Sequence, residues 1–183
     1  MTHLILETKR LILRCLTQED YPALCRILQD RDVMYAYEHA FDDREVQDWL
    51  DRQLRRYRED GFGLWAVVLK ESGEVIGQCG LTMQEWDGRR VPEIGYLFQK
   101  AFWHRGYATE AAAACRAYAF GTLDIPEVFS IIRDTNIASQ NVARRNSMTV
   151  KGKFTKYYYG VCMPHLVFSV CRNADRENSP QES

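Results

Sequence analysis

The stretch PEIGYLFQKAFWHRGYATEAAAACRAYAFG, residues 92–121, most constrains the fold. Residues 92–99 read as a strand. From about residue 107 the chain is alanine-rich and reads as a helix that stops at Gly121. Between them, Gly106 follows two basic side chains, His104 and Arg105, and stands directly before the helix. The first N–H groups of such a helix have no intrahelical partner and carry partial positive charge. That end of a helix binds phosphate. Gly106 puts no Cβ in the way of a ligand, and Ala108 keeps the next position small. The string therefore reads either as a pyrophosphate cradle or as a plain strand-to-helix turn. It matches neither G-x-x-x-x-G-K-[ST] nor G-x-G-x-x-G, which excludes two familiar nucleotide loops.

The rest of the chain places this unit. Residues 4–16 alternate partly and predict a strand pair or one long bent strand. Thr17, Asp20 and Pro22 predict a helix start, with that helix running to about Gln29. Asp42 and Asp43 open a second helix, in which Val46, Trp49, Leu50, Leu54 and Tyr57 share one face. Arg52, Arg55, Arg56 and Arg58 lie mostly outside that stripe and read as a solvated basic face. Strands follow at 64–70, 75–82 and 92–99, with turns at 71–74 and 86–91, as an antiparallel meander. After the alanine-rich helix come a strand at 127–134, a short helix at 137–148, and strands at 153–160 and 162–170. This order predicts an α/β (α+β) domain with a mixed, mostly antiparallel sheet of about seven strands flanked by about four helices. Residues 1–171 form the domain, and 172–183 read as a flexible polar tail.

Composition narrows the function classes. A chain of 183 residues fits one domain. Its net charge of −1 and pI near 6.4 argue against dedicated nucleic-acid binding. No stretch approaches the roughly 18 apolar residues of a membrane span, and residues 1–14 carry too many charges for a signal-peptide core. The six cysteines form no C-x-x-C pair, and the four histidines offer no zinc spacing, so no metal site is expected. Reduced thiols in a cytoplasm are the expectation, with Cys79 and Cys115 as packing residues.

Glu93-Ile94-Gly95-Tyr96-Leu97 followed by Trp103-His104-Arg105-Gly106-Tyr107-Ala108-Thr109-Glu110-Ala111 resembles the GNAT N-acetyltransferase superfamily. The chain looks most like the branch of ribosomal-protein N-terminal acetyltransferases, of RimJ and RimL type. LETKRLILR (6–14), Asn136 with Ser139, Val142 and Met148, and MPHLVFSV (163–170) are also similar, so the likeness covers nearly all of residues 4–171. Three positions depart from the pattern. Trp103 stands where the acetyl-CoA loop usually has Gln or Arg. Ala143 stands where many members carry a tyrosine acid. Ser147 replaces a common glycine, which suggests a different helix end.

The resemblance implies acetyl-CoA as co-substrate and an amine acceptor, either a peptide N-terminus or a small molecule. It implies pyrophosphate on the backbone N–H groups of His104, Arg105, Gly106, Tyr107, Ala108 and Thr109. The pantetheine arm would lie along Tyr96, Leu97 and Phe98, with Asn136 reaching the same arm. Glu93 is the candidate base, or else a surface carboxylate. Ser139 is the candidate acid, or else a helix N-cap. Glu110 reads as a dipole-stabilising residue, and His165 as a hydrogen-bonded strand histidine. Tyr157, Tyr158 and Tyr159 offer hydroxyls, with Tyr158 facing opposite to the other two. Glu38, Asp42 and Asp43 fall in the expected acceptor loops and suit a cationic amine. Rival readings are a CoA-binding sensor without turnover and a ribosome- or RNA-associated protein using Arg52 to Arg58. A monomer or homodimer is expected.

Overall fold

The computed structural model describes residues 3–158 and 160–172, the side chain of Tyr158 excepted. Tyr159 and the expected tail from residue 173 lie outside the described residues. The elements run β1 (Leu4–Glu7), β2 (Leu11–Arg14), α1 (Tyr21–Leu28), α2 (Asp43–Glu59), β3 (Leu64–Leu69), β4 (Val75–Trp86), β5 (Arg89–Phe98), α3 (Tyr107–Gly121), β6 (Glu127–Arg133), α4 (Ile137–Arg145), β7 (Thr149–Tyr158) and β8 (Val161–Cys171). The strands form one eight-stranded sheet in the order β1-β2-β3-β4-β5-β6-β8-β7. The strand count exceeds the expected seven because residues 4–14 are a pair, β1 against β2.

Local chemistry sets the boundaries. Asp42 caps α2 through the Glu45 N–H at 2.8 Å, and the Glu45 carboxylate returns to the Asp42 N–H at 2.9 Å. Pro22 sits in the first turn of α1, where its missing N–H costs nothing. The β4–β5 hairpin is longer and tighter than the sequence suggests. Asp87 and Gly88 both have positive φ, and Trp86 pairs with Arg89 across a two-residue turn.

Every strand pair is antiparallel except β5 with β6, which run parallel and share one register pair, Glu93 with Phe129. Helices cover both faces of the sheet. Leu64 and Ala66 of β3 pack with α1 and α2, while Trp65 and Val67, pointing the other way, pack with α3. Among the described residues no helix is long and apolar enough to cross a membrane.

The end of α4 corrects one expectation. Ser147 was read as marking a different helix end, yet it closes α4 as glycine would. Its N–H donates to the Arg144 carbonyl at 3.0 Å, and the Met148 N–H donates to the Ala143 carbonyl at 3.1 Å. Those are the two bonds of a Schellman stop, which needs a left-handed residue at Ser147. Its φ is 63°, a conformation that disfavours any side chain. Replacing Ser147 with glycine should therefore raise stability by about 0.5–1 kcal/mol, after allowing for the greater freedom of unfolded glycine. A urea titration checks this, and a midpoint that stays put or falls would mean the serine hydroxyl repays its own strain.

Candidate active site

The loop between β5 and α3 is held from several sides. The Trp103 indole N–H donates to the Phe98 carbonyl at 3.0 Å. That bond explains a tryptophan at the loop's first position: it anchors the loop to the strand it leaves. His104 and Gly106 both have positive φ, 60° and 78°. Gly106 is the left-handed N-cap of α3, and the helix's own bonding reaches back to it from the Glu110 N–H at 3.0 Å. The N–H groups of Tyr107, Ala108 and Thr109 thus have no intrahelical acceptor.

Arg10 and Glu110 lock this helix end to the β1–β2 hairpin. The Glu110 carboxylate accepts from the Thr8 hydroxyl at 2.7 Å, the Arg10 N–H at 2.9 Å and the Arg10 guanidinium at 2.6 Å. The same guanidinium donates to the Arg105 carbonyl at 2.9 Å and lies 4.4 Å from the centre of the Tyr107 ring. Glu110 therefore does more than face the helix dipole. Burial opposes its charge, but the bonds from Thr8 and Arg10 together outweigh burial and hold its pKa below the usual carboxylate value.

Behind the loop lies a cavity of about 570 Å³ between α2, the loop before it, β5, β6 and α4. Gly95, Tyr96 and Leu97 form one wall. Beyond the Glu93–Phe129 pair, β5 and β6 have no further ladder partners across this seam. Side chains join the strands there instead. Glu93 accepts from the Ile131 N–H at 3.0 Å, and the Ser130 hydroxyl donates to the Ile94 carbonyl at 2.8 Å. Burial raises the Glu93 pKa, with Lys156, the Ile131 N–H, Thr82 and Arg56 pulling the other way.

Glu93, Tyr96, Leu97, Asn136 and Ser139 all line this cavity. The loop group from His104 to Thr109 is together at the start of α3 and does not line it. Phe98 departs from the expectation: its ring is buried in the core, close against Gly77, and its carbonyl is already taken by Trp103. Of the three, Tyr96 and Leu97 line the cavity and Phe98 does not. Ser139 is not the helix cap. Asn136 is, accepting from the Ser139 N–H at 3.1 Å. Ala143 is buried in the core, so nothing at that position reaches the cavity.

The structure also relocates charge. Glu38 pairs with Arg133, Asp42 caps α2, and Asp43 accepts from the Gln29 amide at 2.7 Å. None of the three lines the cavity; Glu45, Asp48 and Glu93 are the carboxylates that do. Arg52 and Arg56, expected on a solvated face, line it too, with Arg133 and Lys156. The helix spacing alone could not reveal this, because the segment before α2 folds over and builds a wall beside the arginines. Tyr157 is 76% exposed. His165 donates its Nδ1–H to the Met163 carbonyl at 2.8 Å, and it lines the cavity. Cys79 and Cys115 are buried side by side, Sγ to Sγ 3.6 Å. Among the described residues no group of three or more His, Cys, Asp or Glu could hold a metal.

Sequence reasoning missed the hydroxyl of Tyr96, which donates to the Ser139 carbonyl at 2.8 Å inside the cavity wall. It also missed Arg10 as the loop's clamp. The only signal was a basic residue in the early hairpin, and nothing local ties that to residue 105.

The family model described as the acetyltransferase (GNAT) domain matches residues 10–149. The chain belongs to the GNAT acetyltransferase family. Its fold and its family make it an acyltransferase. Protein YkkB of Bacillus subtilis strain 168 is 37% identical to this GNAT chain over 144 residues, 78% of this chain and 84% of YkkB. An acetyltransferase from Agrobacterium tumefaciens C58 superposes with a TM-score of 0.77 at 28% identity, covering 94% of this chain and 95% of that one. The GNAT fold here is also that of RimL, a ribosomal L7/L12 alpha-N-protein acetyltransferase solved with coenzyme A. That superposition has a TM-score of 0.77 at 19% identity and covers 94% of this chain and 100% of RimL.

The Glu110 clamp can be tested without any ligand. Glu110→Gln keeps an acceptor for Thr8 but removes the charge facing Arg10. It should cost about 1–2 kcal/mol at pH 7, the modest value reflecting an Arg10 side chain that is 40% exposed to screening water. Because the folded pKa of Glu110 is depressed, its stabilisation is complete above the ordinary carboxylate range of about 4.3 and fades as pH falls through the folded value. Denaturation curves should therefore converge in acid. A deficit as large at pH 3 as at pH 7 would mean the charge is not what matters.

Proposed function

We propose that this protein is an acetyl-CoA-dependent N-acetyltransferase that transfers acetyl to a primary amine by direct attack on the thioester. The observation that carries the reading is the run of β5. One strand leads from a cavity holding a half-buried carboxylate of raised pKa, past a wall with no ladder partner on its β6 side, to a helix start with uncovered N–H groups. The residues fit the co-substrate. The N–H groups from His104 to Thr109, with Arg105, suit a pyrophosphate. The edge of Tyr96 and Leu97 on the β6 side suits the amides of a pantetheine arm, and Asn136, whose side-chain oxygen makes the capping bond, lines the same cavity.

Acetyl-CoA supplies the activated acyl carbon. The amine nitrogen attacks it, the C–N bond forms, the C–S bond breaks, and the thiolate leaves. A backbone N–H near Leu97 stabilises the oxyanion. Glu93, directly or through a water, takes the proton that the amine sheds and releases it to solvent, while the Ser139 hydroxyl, the candidate acid, passes a proton to the sulfur and regains one from solvent. Tyr96 holds the Ser139 backbone in place. An α-amine, with a pKa near 7.7–8.0, costs roughly 1 kcal/mol to deprotonate at neutral pH, against roughly 4–5 kcal/mol for lysine. A single carboxylate base therefore suits an α-amine, the acceptor class in RimL's name. A cytoplasmic location goes with this reading, since acetyl-CoA is at hand there.

Acetyl-CoA should raise the thermal midpoint of the wild-type protein, since a ligand selective for the native state must stabilise it. Gly106→Val, which forces a branched side chain onto a φ of 78°, should abolish that rise. A saturating concentration that moves neither midpoint would remove the acetyl-CoA reading altogether.

Glu93→Gln keeps an oxygen for the Ile131 N–H and removes the base. We expect kcat to fall by about 10²-fold with less change in KM for acetyl-CoA, and to recover partly at high pH as the amine deprotonates unaided. In the wild type, activity should fall on acidification at a pH above the ordinary carboxylate value, because burial raises this group. An identical pH profile in both proteins would make Glu93 a purely structural stitch.

A further inference from the structure

Resting on the acetyltransferase reading, we infer that the acceptor is an amino-carboxylate: an amine with a carboxylate close by, whose anion sits between Arg52, Arg56 and Lys156. Arg52 and Arg56 stand one turn apart on α2, and Lys156 faces the same cavity from β7. None of the three has an ion pair among the described residues.

Most of the carboxylates around them are committed elsewhere. Asp60 pairs with Arg90 at 3.2 Å. Glu93 holds the Ile131 N–H, and Glu45 holds His39 and the Asp42 N–H. Asp51 accepts from Gln47. Asp48 lines the cavity a turn before Arg52 but makes no ion pair with it. Arg133 is answered by Glu38, yet its Nε is buried without a partner.

The arginine site is built rather than incidental. Gln53 is fully buried. Its side-chain oxygen accepts from the Arg56 guanidinium at 3.2 Å and from the Leu64 N–H at 3.1 Å. Its amide reaches the Trp49 carbonyl at 3.5 Å. Arg52 lies over the Trp49 ring, 5.8 Å from its centre, and Lys156 over Phe154 at 5.5 Å. Burial and the neighbouring Arg52 charge both disfavour the charged form of Arg56. Holding two like charges together away from water costs stability, and a carboxylate that takes fork-like bonds from a guanidinium relieves it. Arg56 and Lys156 are also close enough to Glu93 to act on its charge. The three cations and Glu93 line one cavity, so an anion bound there shares that cavity with the amine that Glu93 deprotonates, as the carboxylate of an α-amino acid or of an acidic N-terminal residue would.

The test measures acetyl-CoA consumption with matched acceptors: L-alanine against L-alaninamide, and an L-aspartyl tripeptide amide against its L-asparaginyl counterpart. The amine of alaninamide deprotonates more readily than that of alanine, so intrinsic reactivity works against the expected order. We expect at least one acidic member to have a kcat/KM about tenfold or more above its neutral partner. Preference within the first pair assigns a free amino acid, and within the second an acidic N-terminus. Arg52→Gln with Arg56→Gln, and separately Lys156→Gln, should raise KM for the preferred acceptor about tenfold and erase the preference. The acetyl-CoA thermal shift of each variant reports that it is folded. Equal transfer to acidic and neutral members, or a preference that survives both variants, overturns the anion site and leaves the acetyltransferase reading standing. No transfer to any acceptor with no thermal shift overturns both.

Discussion

The site depends on one seam in the sheet, where β5 and β6 run parallel and pair at Glu93 and Phe129 alone. A longer ladder would close the sheet and leave no edge for a ligand. With no pairing at all, the buried backbone groups of both strands would be left unsatisfied, at a cost of roughly 1–3 kcal/mol each. Side chains settle the conflict. Glu93 takes the Ile131 N–H and Ser130 meets the Ile94 carbonyl, so the seam holds just where the ladder stops. Beyond it the strand wall at Gly95 to Leu97 stays open to the cavity.

The second requirement is a fixed helix start. A loop with two left-handed residues has many alternatives, and its uncovered N–H groups are useful only if they point one way. Glu110 and Arg10 supply that order from positions 100 residues apart in the sequence. Thr8, Arg10, Arg105, Tyr107 and Glu110 form one connected cluster. Burying Tyr107 under the guanidinium gives the cluster an apolar floor. Stability at the edge of the sheet and order in the ligand loop are therefore the same set of contacts.

The fold was largely legible because its signals are local. Pro22, Asp42, the Asp87-Gly88 turn, Gly106 and Gly121 each mark a boundary through their own backbone chemistry. β7 was read to begin at 153, and it begins at Thr149 because the left-handed stop at Ser147 ends α4 early and frees those residues to pair with β8. A serine in a glycine conformation carries no local flag. In the site, the residues on β5 and at the start of α3 were legible from one continuous stretch. The cavity's charges were not. Arg52 and Arg56 read as solvent-facing because their own helix has its apolar stripe elsewhere, and their role depends on what the segment before α2 and the distant strand β7 place opposite them. Phe98 is set apart from Tyr96 and Leu97 for a similar reason: the partner that occupies its carbonyl, Trp103, folds back from the loop beyond it.

In the proposed reaction Glu93 has two duties, seam bond and base, and the physical chemistry of a carboxylate allows both. Its two oxygens offer about four lone-pair sites. The Ile131 N–H uses one, and the Thr82 hydroxyl, at 3.4 Å, lies near another. Capacity remains on the cavity side for a water or an amine. Its basicity is a balance between burial, which raises the pKa, and the cations Lys156 and Arg56, which lower it. An acceptor carboxylate resting on those cations cancels part of their field at the Glu93 oxygens. On this proposal, the same event that seats the acceptor strengthens the base beside its amine. A neutral acceptor leaves the cations unanswered and the base weaker, so discrimination arises in proton transfer as well as in binding.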